Sequence, residues 1–371
     1  MLRPWTEVEL AELLASAGLT GVPEEPFPTD GWSGATFSRL RRADGAHFVI
    51  KRDAYAANWI ARATADAGLR EAVLASAAAV RGIAVPESVE LPYLGAARDG
   101  DAAAILMPDL SVELIAWEDP AAASAFDKAA LATVIDAMAR LHATPDGLMP
   151  GSETPPAWPW CQLGERILLL ARPSAQRYAD EGIWVGERFL AGWDAFERRA
   201  PASARRLIES LADEPAPLIA ALGRLPSVGL HGDLKLSNVG LLPGNRIAVI
   251  DWQMMLRAPV AVELGWFLVS NVALLPLTPV PILDAYREAL GRHAGHASGG
   301  TAPIPSRLDW SSLVGDWQAQ VDLAWIVGLL LRGWRKGLDA EAGVLLASGV
   351  TPADDLAWWC DMAVQAADRR L

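Results

Sequence analysis

The sequence predicts an α+β fold in two lobes: a small antiparallel sheet with one inserted helix, then a larger and mostly helical region. Three observations carry this. Two Asp-Gly turn signals, Asp44-Gly45 and Asp99-Gly100, fall between strand-like runs in the first 110 residues. After Pro108 the apolar spacing changes to that of helices, as in Leu131, Val134, Ile135, Met138 and Leu141. The chain has 371 residues, 52% hydrophobic and 21% charged, enough for two lobes with their own cores.

Thr6 to Glu9 has the pattern of a capping box and predicts a short helix to about Ser16. A Pro/Gly/Glu loop, Gly21 to Asp30, leads into Gly31-Trp32-Ser33-Gly34-Ala35-Thr36. Strands are expected over Phe37–Arg42 and His47–Lys51, joined at Asp44-Gly45. A helical stretch from about Ala54 to Val80, broken near Gly68, carries Glu71. Val85–Leu94 and Ala102–Met107 read as two further strands around Asp99-Gly100. Proline then ends the sheet at Met107-Pro108-Asp109-Leu110-Ser111, a connector. Beyond it, helices are expected over 125–142, 163–170, 186–196 and 202–222. Short strands over 227–230 and 247–250 follow, with Asn245 in a turn. The last helices are expected over 260–274, 282–293, 311–336 and 353–368. Pro150–Trp160 and Ala297–Ala302 read as loops.

Cys161 and Cys360 form no CxxC pair and read as two buried thiols, and no basic-then-apolar leader opens the chain, so a cytoplasmic location is expected. Leu264–Leu283 is apolar enough to resemble a membrane span, but Pro276, Pro279 and Pro281 forbid one continuous helix. A net charge of −13, with −5 over residues 1–111 and −8 over the rest, argues against nucleic acid or an anionic membrane as partner. It hints weakly at a cationic substrate.

The chemistry concentrates in His231-Gly232-Asp233-Leu234-Lys235-Leu236-Ser237-Asn238, followed by Ile247-Ala248-Val249-Ile250 and Asp251. Each residue alone has an ordinary reading: Asp233 as a turn former, Asn238 as an Asx-turn, Asp251 as a cap. Together they supply the oxygen-bearing groups that phosphoryl transfer needs, one for a hydroxyl proton and two for a divalent cation.

His-Gly-Asp-x-x-x-x-Asn followed by Ile-Asp-Trp resembles the aminoglycoside phosphotransferase and choline kinase family, relatives of protein kinases. The resemblance spans nearly the whole chain. It implies a bilobal, protein-kinase-like fold with an N-lobe over residues 1–106, a connector over 107–111 and a C-lobe over 112–371, and with ATP or GTP and Mg²⁺ between the lobes. It implies that Asp233 is the catalytic base, that Asn238 and Asp251 bind Mg²⁺, that Lys51 contacts the α- and β-phosphates and that Glu71 holds Lys51. Lys235 stands where protein kinases carry a lysine on the γ-phosphate. Gly31–Thr36 resembles the phosphate-covering loop, with Ser33 and Thr36 as hydroxyl donors. Met107, Asp109 and Leu110 correspond to the connector that pairs with the nucleotide base. Glu263 stands where the family usually has Asp bracing the catalytic loop; the longer Glu is a departure. His142 reads as a packed structural residue.

Only 11 residues separate Asp251 from Glu263, little room for a peptide-holding segment, and Gly232 replaces the usual arginine before the catalytic Asp. A small-molecule hydroxyl acceptor fits better than a protein. Of 16 tryptophans, 13 follow residue 111; most are expected in the core, a minority in a substrate pocket. Asp316 and Asp322 are candidate acceptor ligands if they face that pocket. The expected function is phosphorylation of an antibiotic or similar natural product. A metabolic kinase of choline, a sugar or an amino alcohol is the alternative, and an inactive nucleotide-binding scaffold a third reading.

Overall fold

A computed structural model describes residues 4–28, 31–81, 83, 85–115, 126–144, 158–294 and 310–371. The chain forms two compact units. The first comprises Met1–Leu114, Leu148–Cys161 and Asn238–Met255; the second comprises Ile115–Gly147, Gln162–Ser237 and Leu256–Leu371. The secondary structure is mixed α+β, as expected.

The first unit is built on a five-stranded antiparallel sheet. Its strands are β1 (Glu24–Pro26), β2 (Thr36–Arg41), β3 (His47–Asp53), β5 (Gly95–Asp99) and β6 (Ala102–Pro108), in the order β1-β2-β3-β6-β5. One face buries Leu40, Phe48, Ile50, Ala97, Ala104 and Leu106 against Leu13 of α1 (Leu10–Ser16) and Leu19. The period of two sends Lys51 to the other face, opposite Phe37 and Ile105 on the neighbouring strands. Helix α3 (Arg70–Arg81) packs against β5 and follows the short α2 (Trp59–Ala63). A second, three-stranded sheet pairs β8 (Val239–Leu242) with β9 (Arg246–Val249), and β9 in parallel with the two-residue β4 (Val89–Glu90). Gly244 and Asn245 both take positive φ in the β8–β9 turn, +78° and +56°, as a tight hairpin of matching twist requires.

Two expectations fail in this unit. The capping box at Thr6 does not form: residues 5–7 make a 3₁₀ turn and α1 starts only after Glu9. The carbonyl of Val8 instead accepts the Arg98 N–H at 2.7 Å, which draws residues 8–9 out along the sheet edge. Nor is Val85–Leu94 the hairpin partner of Ala102–Met107. Pro86 and Pro92 cannot donate to a ladder, so pairing shifts to Gly95–Asp99.

The second unit is helical. Its helices are α4 (Lys128–Ala143), α5 (Leu163–Leu168), α6 (Arg172–Asp180), α7 (Trp184–Arg199), α8 (Ala202–Asp213), α9 (Ala216–Leu222), α10 (Val260–Ser270), α11 (Pro279–His293), α12 (Trp310–Leu313), α13 (Trp317–Ala342) and α14 (Pro352–Arg370). The central α13 packs on α7, α10 and α14. Gly265 of α10 and Gly328 of α13 face each other; a Cβ on Gly328 would sit 2.9 Å from the Gly265 carbonyl oxygen, so only glycine allows this approach. A two-stranded ribbon joins β7 (Val228–Leu230) to β10 (Leu256–Ala258).

Breaks in the helices have local causes. The expected 202–222 helix splits at Pro215, and the 311–336 helix at Gly315, whose φ is +63°. Arg172–Asp180 is a helix that the sequence pattern does not announce. Leu264–Leu283 holds the end of α10 and the start of α11, with Pro279 and Pro281 in the first turn, where proline is tolerated. No helix among the described residues is long and apolar enough to cross a membrane. Residues 297–302, His296 and most of 150–160 lie outside the described residues.

Candidate active site

In the first unit three of the expected residues meet directly. Lys51 Nζ lies 2.5 Å from Glu71 Oε2 and 2.8 Å from Asp251 Oδ1. Glu71 Oε1 accepts the Tyr93 hydroxyl at 2.7 Å and the Asp251 backbone N–H at 3.1 Å. Lys51 and Glu71 are buried on β3 and α3. Burial opposes the lysine's charge, but the carboxylates of Asp251, Glu71 and Asp53 outweigh it and hold its pKa above the ordinary lysine range. Burial and the nearby Asp251 raise Glu71. One ammonium thus serves two carboxylates, and the trio is short of one positive charge.

Asn238 and Asp251 sit at the same end of the β8–β9 hairpin, where the Ile250 N–H donates to the Asn238 carbonyl at 3.1 Å. Asp251 itself is left-handed, with φ 66° and ψ 55°, a conformation that Asp tolerates better than most residues. The turn after it is tied down. Asn58 caps α2 and donates from Nδ2 to both Asp53 oxygens at 3.0 Å and to Gln253 Oε1 at 3.2 Å. The donor set suits a hard divalent cation, with a carboxylate and an amide oxygen on one hairpin end.

Ser33 and Thr36 lie at the loop before β2. The Ser33 hydroxyl accepts its own Ala35 N–H at 3.4 Å, while Thr36 opens β2 opposite Arg52. The loop is pinned to α2: Trp59 Nε1 donates to the Trp32 carbonyl at 2.6 Å and Trp59 N to the Ser33 carbonyl at 3.2 Å. Gly34 has φ +98°, and a Cβ there would meet the Ala57 carbonyl oxygen at 2.5 Å.

Met107, Asp109 and Leu110 form the end of β6 and the turn after it. Met107 is buried opposite Val49. The Asp109 carboxylate is engaged, 2.8 Å from Arg39 Nε and accepting the Ser111 N–H at 3.0 Å. Although burial acts against its charge, Ser111 and Arg39 hold its pKa below the usual range. The Leu110 carbonyl accepts from Glu113 N and Leu114 N at 3.0 and 2.9 Å. These side chains shape the turn that follows β6.

In the second unit the loop after β7 is held from several sides. Glu263 Oε1 accepts the Gly232 N–H at 2.7 Å and Oε2 the His231 N–H at 2.9 Å. The same Oε2 is 3.1 Å from His142 Nε2, whose other nitrogen is 2.7 Å from the Tyr286 hydroxyl. With Glu263 ionised, Nε2 is the donor and Nδ1 accepts from tyrosine, a tautomer assigned from its partners. Burial works against the Glu263 carboxylate, yet His142, His231 and the backbone donor lower its pKa below the ordinary glutamate value. Glutamate in place of the usual aspartate therefore does brace the loop. Arg166 Nε adds a bond to the Gly232 carbonyl at 2.6 Å, and Asn271 Oδ1 accepts the Leu236 N–H at 2.7 Å. Gly232 takes φ +82°.

On this loop Asp233 is 2% exposed, and Lys235 Nζ lies 3.3 Å from its Oδ2. Arg166 and Asn271 had no local signal in the sequence, because they reach the loop from α5 and from the end of α10. Of the 11 residues between Asp251 and Glu263, all but Arg257 are buried, and β10 is paired with β7, so the interval is consumed by the fold.

Asp316 and Asp322 are engaged within the helical unit: Asp316 is exposed at a helix start and Asp322 is buried. Asp316 caps α13, accepting the Ala319 N–H at 3.1 Å. Asp322 is fully buried and bound by Arg369 and Arg370, each at 2.7 Å. Burial opposes the Asp322 charge, but the two arginines and Gln318 lower its pKa.

The phosphotransferase enzyme family matches this sequence over residues 26–303. Comparison with curated proteins found no match. Among solved structures, the chain is similar to an amicoumacin kinase at 13% identity, covering 92% of this chain and 88% of that one, with a TM-score of 0.49. Choline kinase from Cryptosporidium parvum Iowa II is similar at 8% identity over 94% of this chain and 88% of that one, TM-score 0.47. A macrolide 2'-phosphotransferase from Brachybacterium faecium is similar at 18% identity over 96% and 97%, TM-score 0.39. With three quarters of its length matched by the family and the α+β architecture described above, the chain belongs to the phosphotransferase enzyme family.

Proposed function

We propose that the protein moves the γ-phosphoryl group of ATP to a hydroxyl of a small molecule, with Asp233 as base. The observation that carries this reading is a buried carboxylate, 2% exposed, on a loop whose backbone is fixed by Glu263, Arg166 and Asn271, with the Lys235 ammonium 3.3 Å away. Such a group is preorganised to accept a proton without rearrangement.

In the proposed reaction Asp233 takes the acceptor's hydroxyl proton as the oxygen forms its bond to the γ-phosphorus. The bond from that phosphorus to the β,γ-bridging oxygen breaks, and ADP leaves. Lys235 stabilises negative charge on the transferred group. Lys51, held by Glu71, contacts the α- and β-phosphates, beneath a loop carrying Ser33 and Thr36. The backbone at Met107, Asp109 and Leu110 meets the base. Asn238 and Asp251 would hold Mg²⁺, which supplies charge neutralisation on the phosphates when bound. The acceptor is a hydroxylated natural product, antibiotics included, and the reaction takes place in the cytoplasm, where ATP is available.

Asp233→Ala tests this. Transfer is expected to fall by about 10²- to 10⁴-fold while nucleotide binding persists. Turnover retained at the wild-type rate would overturn the assignment.

A further inference from the structure

The proposed base stands in cationic company. Arg332, from the middle of α13, lays its guanidinium over two indoles, 5.5 Å from the Trp266 centroid and 5.1 Å from the Trp334 centroid. Trp266 also carries the Arg166 guanidinium, at 4.4 Å. Arg166 in turn holds the Gly232 carbonyl, next to Asp233. A chain of contacts therefore leads from Arg332 through Trp266 and Arg166 to the residue beside the proposed base. Asp233 is also one of the charges felt by Arg332.

Arg332 has no ion pair or hydrogen bond among the described residues, and its Nε is buried without a partner. The acid that could have served it is taken, because Asp339 Oδ1 pairs with Arg335 Nε at 2.8 Å. Burial, together with Arg335 and Arg188, lowers the Arg332 pKa to about 10, against the pull of Asp339 and Asp233. The group is still charged at neutral pH. A guanidinium held partly out of water, with its Nε buried, normally has an anionic partner, and the described residues supply none within bonding distance. Two tryptophan rings hold the guanidinium by cation–π attraction and leave its N–H groups for a two-pronged anion.

We infer that Arg332 anchors an anionic group of the acceptor, a carboxylate or a phosphate, so that the substrates are hydroxy acids or phosphorylated alcohols and not polycationic amino sugars. This rests on the phosphotransfer reading and narrows it. It also reverses the weak hint of the chain's net charge of −13: the acidity is global, whereas Lys235 pairs with Asp233, Arg166 binds the neighbouring Gly232 carbonyl, and Arg332 shares the Trp266 ring with Arg166. Arg332 is a specificity residue here, reading the acceptor's charge at a distance from the reacting hydroxyl.

The test uses the full-length protein, ATP and three sets of alcohols: glycerate and glycerol 3-phosphate, glycerol and methyl glycerate, choline and kanamycin. ADP release is expected to show kcat/KM at least about tenfold higher for an anionic acceptor than for its neutral analogue. Arg332→Gln should lower kcat/KM for the anion by about 10- to 100-fold, mainly through KM, and change the neutral analogue by no more than about twofold. The preference for glycerate against glycerol 3-phosphate separates carboxylate from phosphate. A preference for choline or kanamycin would overturn the inference. So would an equal fall in kcat for charged and neutral acceptors, which would put Arg332 on the transferred phosphoryl group.

Binding of glycerate and of glycerol 3-phosphate, followed by tryptophan fluorescence, needs no turnover. Saturable binding is expected in the wild type, weakened about tenfold or more in Arg332→Gln and partly kept in Arg332→Lys. Anion binding through Arg332 without turnover of any alcohol would sink the phosphotransfer reading and leave the anion site standing. Turnover without charge preference would do the reverse, and absence of saturable binding by both anions would overturn the site.

Discussion

Glu263 receives the backbone N–H of Gly232 at 2.7 Å, and its second oxygen serves both His231 N and His142 Nε2. One fully buried carboxylate thus satisfies three donors, and each left unpaired would cost about 1–3 kcal/mol. Glu263→Asp lacks the reach for all three. We expect kcat to fall by about tenfold and the melting temperature by several degrees, with KM for ATP unchanged, because the proposed nucleotide contacts lie on other residues. Steady-state kinetics and thermal melts check this; a drop in KM alone would contradict it.

Lys51 bridges Glu71 and Asp251 with one ammonium. Lys51→Met leaves two buried or half-buried carboxylates facing each other and should cost about 3 kcal/mol, since breaking a buried pair strands its partner. Adding Glu71→Gln removes the stranded charge, so the double variant should be less destabilised than the sum of the two single changes. Chemical denaturation of the four proteins measures the coupling, and strict additivity would argue against the pair.

Gly34 holds the loop against α2 at φ +98°, with no room for a Cβ beside Ala57. Gly34→Ala combines a strained φ with a steric clash and is expected to cost about 1–3 kcal/mol. If the loop covers phosphates, KM for ATP should rise by about tenfold. Titration of ATP in the kinase assay gives the answer, and an unchanged KM would remove the loop from nucleotide binding.

Asp136 joins α4 to α11 through His293 at 2.9 Å and Arg292 at 3.1 Å, and pairs with Arg140 at 2.8 Å. Burial opposes its charge, but these partners lower its pKa from 3.8 to about 2. A carboxylate with a depressed folded pKa adds stability above its unfolded pKa and loses it as pH falls through the folded one. The loss is therefore expected between about pH 4 and pH 2, amounting to about 1 kcal/mol after solvent screening. Asp136→Asn should lower stability by that amount at pH 7 and make no difference near pH 2. Denaturation across this range compares the two proteins.

Much of the proposed machinery was readable along the chain because its groups are local. Asp233, Lys235 and Asn238 share one loop, and Asp251 follows one strand later. Lys51 showed itself as a charge ending an apolar strand. What was hidden depends on tertiary contact. Gly95-Ala96-Ala97-Arg98-Asp99 has little strand propensity of its own, and its place in the sheet comes from pairing with β6, while the more apolar Val85–Leu94 is disqualified by its prolines. Arg166, Asn271, Tyr93 and Arg332 act at long sequence separations. Nothing in their neighbours distinguishes them from other polar residues on helices and loops. Asp322 misled for the opposite reason: its spacing fits a helix face, but the C-terminal Arg369 and Arg370 fold back to neutralise it.

The line between the two compact units runs through the His231–Asn238 motif, between Ser237 and Asn238. The hairpin bearing Asn238 and Asp251 is encoded far downstream of Lys51, yet it completes the first unit by pairing with β4. Neither unit is therefore a portable cassette. A gene fragment ending at residue 114 would lack two of the three strands of its smaller sheet and the Asp251 partner of Lys51. Fusion, circular permutation or split-protein reporters built on this scaffold must keep residues 238–255 with the N-terminal fragment. Recombination between relatives faces the same constraint, and is expected to exchange this chain whole.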